Sequence, residues 1–134
     1  MLAVGNPIKD RLADLLTDWS VRLRTDVVEK RQFPAVEVGI DGAQVADSKT
    51  GAVSLTPNWA VTLVVRRGDL AAAQLDEAFA GVVESLHNWA PGAQGGRNWE
   101  RLRLVSVREP DFADEGVAGV VLVFSTGARY DGQP

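Results

Sequence analysis

Residues 59–67 read Trp59-Ala60-Val61-Thr62-Leu63-Val64-Val65-Arg66-Arg67, and the reading of this stretch decides the fold. Trp59, Val61, Leu63 and Val65 alternate onto one face, while Ala60, Thr62 and Val64 make the other face only weakly polar. A strand with two nearly apolar faces belongs in the middle of a sheet. Working outward, Gly68-Asp69 ends the strand and offers Asp69 as the cap of a helix. Leu75, Phe79, Val82, Val83 and Leu86 share one face of that helix and carry it to about Asn88. Gly81 in its interior either weakens it or permits close packing.

On the upstream side, residues 33–40 place Val36, Val38 and Ile40 on one face of a second strand, with Glu37 and Gly39 on the other. Pro34 donates no ladder hydrogen bond, so this strand is expected to begin at Ala35. Asp41-Gly42 is a turn signal, and residues 44–57 read as a long hairpin-like excursion with a mobile tip around residues 48–51. Nearer the start, Asn6-Pro7 suits a helix cap followed by the first helical position. Ile8, Leu12, Leu15, Leu16, Trp19 and Leu23 then recur at helical spacing, which predicts one helix with Lys9, Asp10, Asp14, Asp18 and Arg22 on its wet side. A charged connector over residues 29–32 leads into the strand.

On the downstream side, Pro91-Gly92 and Gly95-Gly96 break the chain before two more strands, residues 102–107 and 117–124, joined by a Pro/Asp/Glu loop over 109–116. In the last strand Val121 and Val123 oppose Val120, Leu122 and Phe124, as expected where both faces are covered, one by the chain's own helices and the other by something such as a neighbouring subunit. Residues 126–134 are small and polar, which predicts a flexible C-terminal tail after a single domain over residues 1–125. The fold class expected is α/β in the α+β sense, a mixed and mainly antiparallel sheet with two α-helices packed on one face.

Composition narrows the chemistry. The 134 residues, 46% hydrophobic and 24% charged, suit one globular domain. There is no cysteine, which removes disulfides, thiolate nucleophiles and cysteine-ligated zinc or iron–sulfur centres. No apolar run approaches the roughly 18 residues that span a bilayer, and residues 1–9 lack the pattern of a secretory signal, so a cytoplasmic protein without a membrane partner is expected. A net charge of -4 argues against tight general DNA binding, which depends on neutralising phosphates. Arg66-Arg67 and the spaced set Arg97, Arg101, Arg103 and Arg108 remain as local basic groups.

No residue pattern makes a catalytic centre. His87 is the only histidine, sits near the end of the second helix, and suits a structural role at a helix C-terminus. Asp10, Asp14 and Asp18 repeat every fourth residue and read as an exposed acidic stripe. Asp111, Asp114 and Glu115 lack the alternating ligands of a calcium loop. Residues 91–97 are glycine-rich, yet they follow a helix and precede a strand, whereas phosphate loops run from strand into helix. No catalytic residue, metal ligand or cofactor is therefore assigned. Trp89 and Trp99 bracket that loop, and tryptophan beside arginine is the composition of interface hot spots as well as of a capped core.

The segment Phe33-Pro34-Ala35-Val36-Glu37-Val38-Gly39-Ile40-Asp41-Gly42-Ala43 resembles the early strand of the tail-terminator, or minor tail protein U, family of long-tailed bacteriophages. The order of elements is similar over most of the chain: a preceding helix, a polar excursion, a Trp-initiated strand, a second helix and two closing strands. The resemblance implies a non-enzymatic subunit that forms a hexameric ring with copies of itself at the head-proximal end of the tail tube. Such a ring stops tube polymerisation and presents a head–tail joining surface. The partners implied are the tail tube protein, the head–tail connector protein and passing DNA that is not specifically bound, and the location implied is the virion tail, assembled in the host cytoplasm. Within that expectation Trp99, Arg97, Arg101 and Arg103 are candidates for subunit or connector contacts, Arg66 and Arg67 for a charged ring edge, and Asp10, Asp14 and Asp18 for a channel-facing stripe that repels DNA phosphate. The alternatives are another oligomeric structural or secretion-type subunit, and a small ligand-binding domain or enzyme built on the acidic loop and the glycine-rich turn.

Overall fold

A computed structural model describes residues 1–27, 30–112 and 114–133. A 3-10 turn at Leu2–Val4 leads into α1 (Gly5–Leu15), followed by β1 (Ser20–Leu23), β2 (Ala35–Asp47) and β3 (Ala52–Arg66). Then come α2 (Ala71–Leu86), a small hairpin of β4 (Gly92–Gln94) and β5 (Arg97–Trp99), β6 (Arg103–Arg108), β7 (Val117–Ser125) and β8 (Ala128–Asp131). The main sheet runs β1-β2-β3-β7-β6, with β8 also paired to β3. Among the described residues of this sheet only the β1–β2 pairing is parallel; β2–β3, β3–β7, β3–β8 and β6–β7 are antiparallel. The fold is α+β, as its alternating and helical periodicities require.

β3 is the central strand expected from residues 59–67. Its inward residues Trp59, Val61 and Leu63 join Val36 and Val38 of β2 and Leu122 and Phe124 of β7 in one apolar layer. Ile8 and Leu12 of α1 and Ala78, Val82 and Leu86 of α2 close over that layer from one side. Each Val, Leu, Ile or Phe side chain of this layer, fully removed from water, contributes about 1.5–3 kcal/mol. Gly81 serves close packing, because a Cβ there would lie 3.3 Å from the Leu15 side chain.

Several local expectations are corrected by non-local pairing. The first helix stops at Leu15, and Leu16 leaves helical geometry with ψ near 68°. Trp19 and Leu23 are therefore not helical; Val21 and Leu23 satisfy a period of two as well as Leu23 satisfies the helical one, and β2 offers Ser20–Leu23 a parallel partner. Asp18 consequently lies in the turn after α1, and only Asp10 and Asp14 remain on the helix, both exposed. The helix starts earlier than expected, with Val4 rather than Asn6 preceding it, so Pro7 occupies its third position, where no intrahelical N–H is needed. Leu70, not Asp69, precedes α2, and α2 ends at Leu86 rather than Asn88.

Asp41-Gly42 does not turn the chain. β2 passes through it as a bulge, with a register shift between Ile40 and Ala43 and with Gly42 at φ 102°, a conformation that suits glycine. The real reversal comes at Ser48–Gly51, where the hairpin tip was expected, and Ser48 N–H donates to Ala52 O at 2.9 Å. The segment expected as a C-terminal tail instead contains β8, which pairs with residues 52–55 of β3, so the sheet extends past residue 125. Residue 28, residue 29 of the expected connector, residue 113 of the expected loop and residue 134 of the expected tail lie outside the described residues.

Phe124 is completely buried in the layer between sheet and helices. Phe124→Ala should lower unfolding free energy by about 3–5 kcal/mol, measured by urea denaturation, with a largely unchanged m-value.

Candidate functional site

The helices cover one face of the sheet; the opposite face carries the chemistry. Alternation turns Ala35, Glu37 and Gly39 of β2 toward it, together with Ala60, Thr62 and Val64 of β3 and Val121 and Val123 of β7. Ala60, Val121 and Val123 form a second, small apolar cluster. Val121 is 1% and Val123 6% exposed, so the chain itself covers both sides of β7 at these positions and no neighbouring subunit is needed there. Phe112 packs against Gly119, and the Arg66 guanidinium stacks on the Phe33 ring at 4.9 Å.

A chain of opposite charges runs across this face. Arg22 Nη2 on β1 meets Glu37 Oε2 at 3.1 Å, and Arg24 Nε meets Glu37 Oε1 at 3.1 Å. Arg24 also donates to Ile40 O at 2.9 Å and approaches Asp41 at 3.5 Å. Asp41 then accepts from Arg108 Nη2 of β6 at 2.9 Å. Gly39 permits this arrangement, because a Cβ there would meet the Arg24 guanidinium at 2.6 Å. Five side chains thus connect the two lateral edges of the sheet, β1 and β6. An open cleft of about 780 Å³ adjoins them, lined by Arg22, Glu37, Phe33, Thr62, Val64 and Phe112 among others.

Of these residues only Arg108 belonged to a basic group recognised in the sequence, and its acidic partner was not. Arg22 and Arg24 alternate with Leu23 as strand neighbours do, but the helical reading of residues 8–23 concealed that signal.

The candidates drawn from sequence are dispersed. Trp99 is 4% exposed, donates Nε1–H to Gln94 O at 3.0 Å and lies edge-on to Tyr130, so it is a core residue and is removed from the contact set. Arg97 covers the Tyr130 ring at 3.6 Å and donates to Gly95 O. Arg101 donates to Asn88 O at 2.9 Å, whereas Arg103 is exposed on β6 opposite Ser125. Arg66 and Arg67 sit at the other end of the sheet, beside Val117, where Arg67 Nε donates to Val117 O. The two arginine groups therefore occupy opposite ends. His87 Nδ1 accepts the Leu104 N–H at 3.1 Å, and Asp114 accepts the Gly116 N–H.

Among the described residues two groups show perturbed acidity. The Leu23 N–H, followed by Lys9, holds the Asp26 carboxyl below its ordinary range. Burial and then the nearby Arg97 lower the pKa of the terminal amine of Met1, which donates to the Tyr130 hydroxyl at 2.7 Å.

Fold and surface together define a small α+β domain whose distinctive features are paired charges and open strand edges. The same fold occurs in a solved virion of a native gene transfer agent (GTA) particle: a chain there aligns with a TM-score of 0.65 at 17% identity, over 96% of this chain and 96% of that one. This likeness is one of fold. No family model matches the sequence, and no curated protein matches it.

Asp41→Ala should separate Arg24 from Arg108 and cost about 0.2–1 kcal/mol of stability, a difference that high salt should shrink when denaturation is repeated at two ionic strengths. Asp26 has a folded-state pKa lowered from 3.8, so its contribution is present above that value and is lost as pH falls through the folded value. In Asp26→Asn this part of the acid-induced loss should disappear, which thermal melts from neutral to strongly acidic pH would show.

Proposed function

We propose that this protein is a structural, non-enzymatic subunit of a phage-like virion, acting as a tail terminator. In this reading copies form a ring, most simply a hexamer, at the head-proximal end of the tail tube. The ring stops tube polymerisation and offers the surface to which the head connector binds. The observation that carries the reading is the whole-length likeness of fold to a chain in the gene transfer agent virion. The Phe33–Ala43 resemblance to tail terminators supports a place in the tail of such a particle.

The contacts assigned are self-association, the tail tube protein and the head–tail connector protein, in a virion tail assembled in the host cytoplasm. Arg97, Arg101 and Arg103 at one end of the sheet, and Arg66 and Arg67 at the other, are the proposed charged contact groups. Asp10 and Asp14 on the exposed side of α1, with Asp18 in the following turn, are the proposed channel-facing acids. Carboxylates in that position would repel the phosphates of passing DNA, and the net charge of -4 agrees with DNA that passes without being held.

Electron microscopy of the purified protein mixed with tail tubes tests the proposal. Rings seated at one tube end are expected, together with overlong tubes when the protein is omitted from assembly. Binding along the tube wall, or tube lengths unchanged by its omission, would overturn the tail-terminator role. Reversing charge at Arg101 and Arg103 should reduce infectious or transducing particles, and full particle yield would remove those two residues from the contact set.

A further inference from the structure

The proposed ring requires a surface by which one copy grips the next, and the sheet has two open edges suited to each other. Edge strands expose unpaired N–H and C=O groups and are ordinarily protected, because they can pair with another chain. One open edge is the outer side of β2 beyond its bulge. β1 pairs with β2 only as far as Val38, and the Arg24 side chain takes Ile40 O. The Ser48 N–H bond to Ala52 O sets the alternation of the hairpin. Gln44 and Ala46 therefore turn their backbone groups toward β3, and Ala43, Val45 and Asp47 turn theirs outward. Pro57, which has no N–H, stands opposite Ala43, as that alternation demands.

The other open edge is β6, at the far side of the sheet. Thr126 N–H donates to Pro57 O, which sets Phe124 and Leu122 toward β3 and leaves Ser125, Val123 and Val121 to bond β6. Arg103, Ser106 and Arg108 consequently bond inward, and Leu104 and Val107 face outward. His87 occupies the Leu104 N–H, so Val107 and the bulge around Val105 form the open part of the edge.

Both edges expose apolar side chains. Val45 is 62%, Val105 53% and Val107 47% exposed, so each edge offers apolar surface that a pairing strand would cover. Their charges are complementary. β6 has Arg103 and Arg108 at its ends and no acid between them, whereas residues 41–47 have Asp41 and Asp47 at their ends and no base. Arg108 and Asp41 already meet inside one subunit, while Arg103 and Asp47 have no ionic partner among the described residues.

We propose that β6 of one copy pairs with residues 43–47 of β2 on the next copy, joining the sheets of the ring edge to edge with Val107 opposite Val45, whose backbone groups both face outward. Because the two edges lie on opposite sides of the sheet, the contact is head-to-tail. A repeated head-to-tail contact closes into a ring when its rotation permits. This inference rests on the ring of the proposed function and assigns its subunit contact.

The absence of cysteine makes the test clean. In a double variant, Val45→Cys with Val107→Cys, mild oxidation at the highest soluble concentration should give a disulfide-linked ladder that ends in one closed multimer and collapses to monomer on reduction. Each single-cysteine variant should give no ladder beyond dimer. No linked species from the double variant, or single variants that link as fully as the double, would overturn the pairing. Val107→Pro removes an outward N–H but no bond within the subunit, so it should abolish the multimer in native mass spectrometry while leaving the circular dichroism spectrum unchanged. A Val107→Pro protein that is folded and still multimeric would also overturn the pairing. Cross-linked rings that never seat on tail tubes would remove the tail-terminator role and leave the edge pairing standing. Rings on tubes without the cross-link would do the opposite.

Discussion

The structure depends on the hydrogen-bonding demand of β3. Its 15 residues run through the centre of the sheet, and buried backbone groups must find partners along both edges. One edge is satisfied by β2 throughout, from Ala35 opposite Val64 to Asp47 opposite Val53, with the bulge absorbing one mismatch. The other edge needs two strands placed end to end, β7 along residues 58–66 and β8 along residues 52–55. The sharp passage between β7 and β8 is held by Thr126, whose hydroxyl donates to Glu100 O and whose N–H donates to Pro57 O. Packing of the helices is secondary to this, because Ile8, Leu12, Val82 and Leu86 have an apolar surface to cover only once the strands are aligned.

The two faces of that sheet are stabilised differently. On the helix side, close packing of aliphatic and aromatic side chains leaves Phe124, Leu63 and Leu122 without solvent contact. On the other side a narrow apolar strip, Ala60 with Val121 and Val123, is flanked by Phe33, Phe112 and a line of ion pairs. These pairs retain solvent contact, with the Arg24 side chain 43% and Asp41 28% exposed. They contribute little stability individually, and their larger effect is to hold Arg24 and Arg108 in fixed directions.

Much of the fold was legible because its signals are local. Alternation identified residues 35–40, 59–67, 102–107 and 117–124 as strands, overrunning the observed bounds by one residue at 67 and at 102, and a period near four identified the buried faces of α1 and α2. The charged face was far less legible. Glu37 and Asp41 are single acids in a strand, and nothing adjacent to them announces partners at Arg22, Arg24 and Arg108. Trp99 was ambiguous for a related reason: composition favours tryptophan both at interfaces and in cores, and its burial beside Gln94 O and Tyr130 puts it in the core.

By itself, then, the sequence determined which segments are strands or helices wherever one periodicity had no competitor, and it determined the inward face of each. Tertiary structure decided the cases in which local patterns were balanced or absent. Val21 and Leu23 became a strand because Ala35–Val38 offered a parallel partner, Asp41-Gly42 became a bulge because β3 continued past it, and Ala128–Asp131 became a strand because residues 52–55 had an edge to fill. The physical reason is common to all three. A strand is completed by hydrogen bonds to another segment, so its existence depends on a neighbour that its own residues do not name.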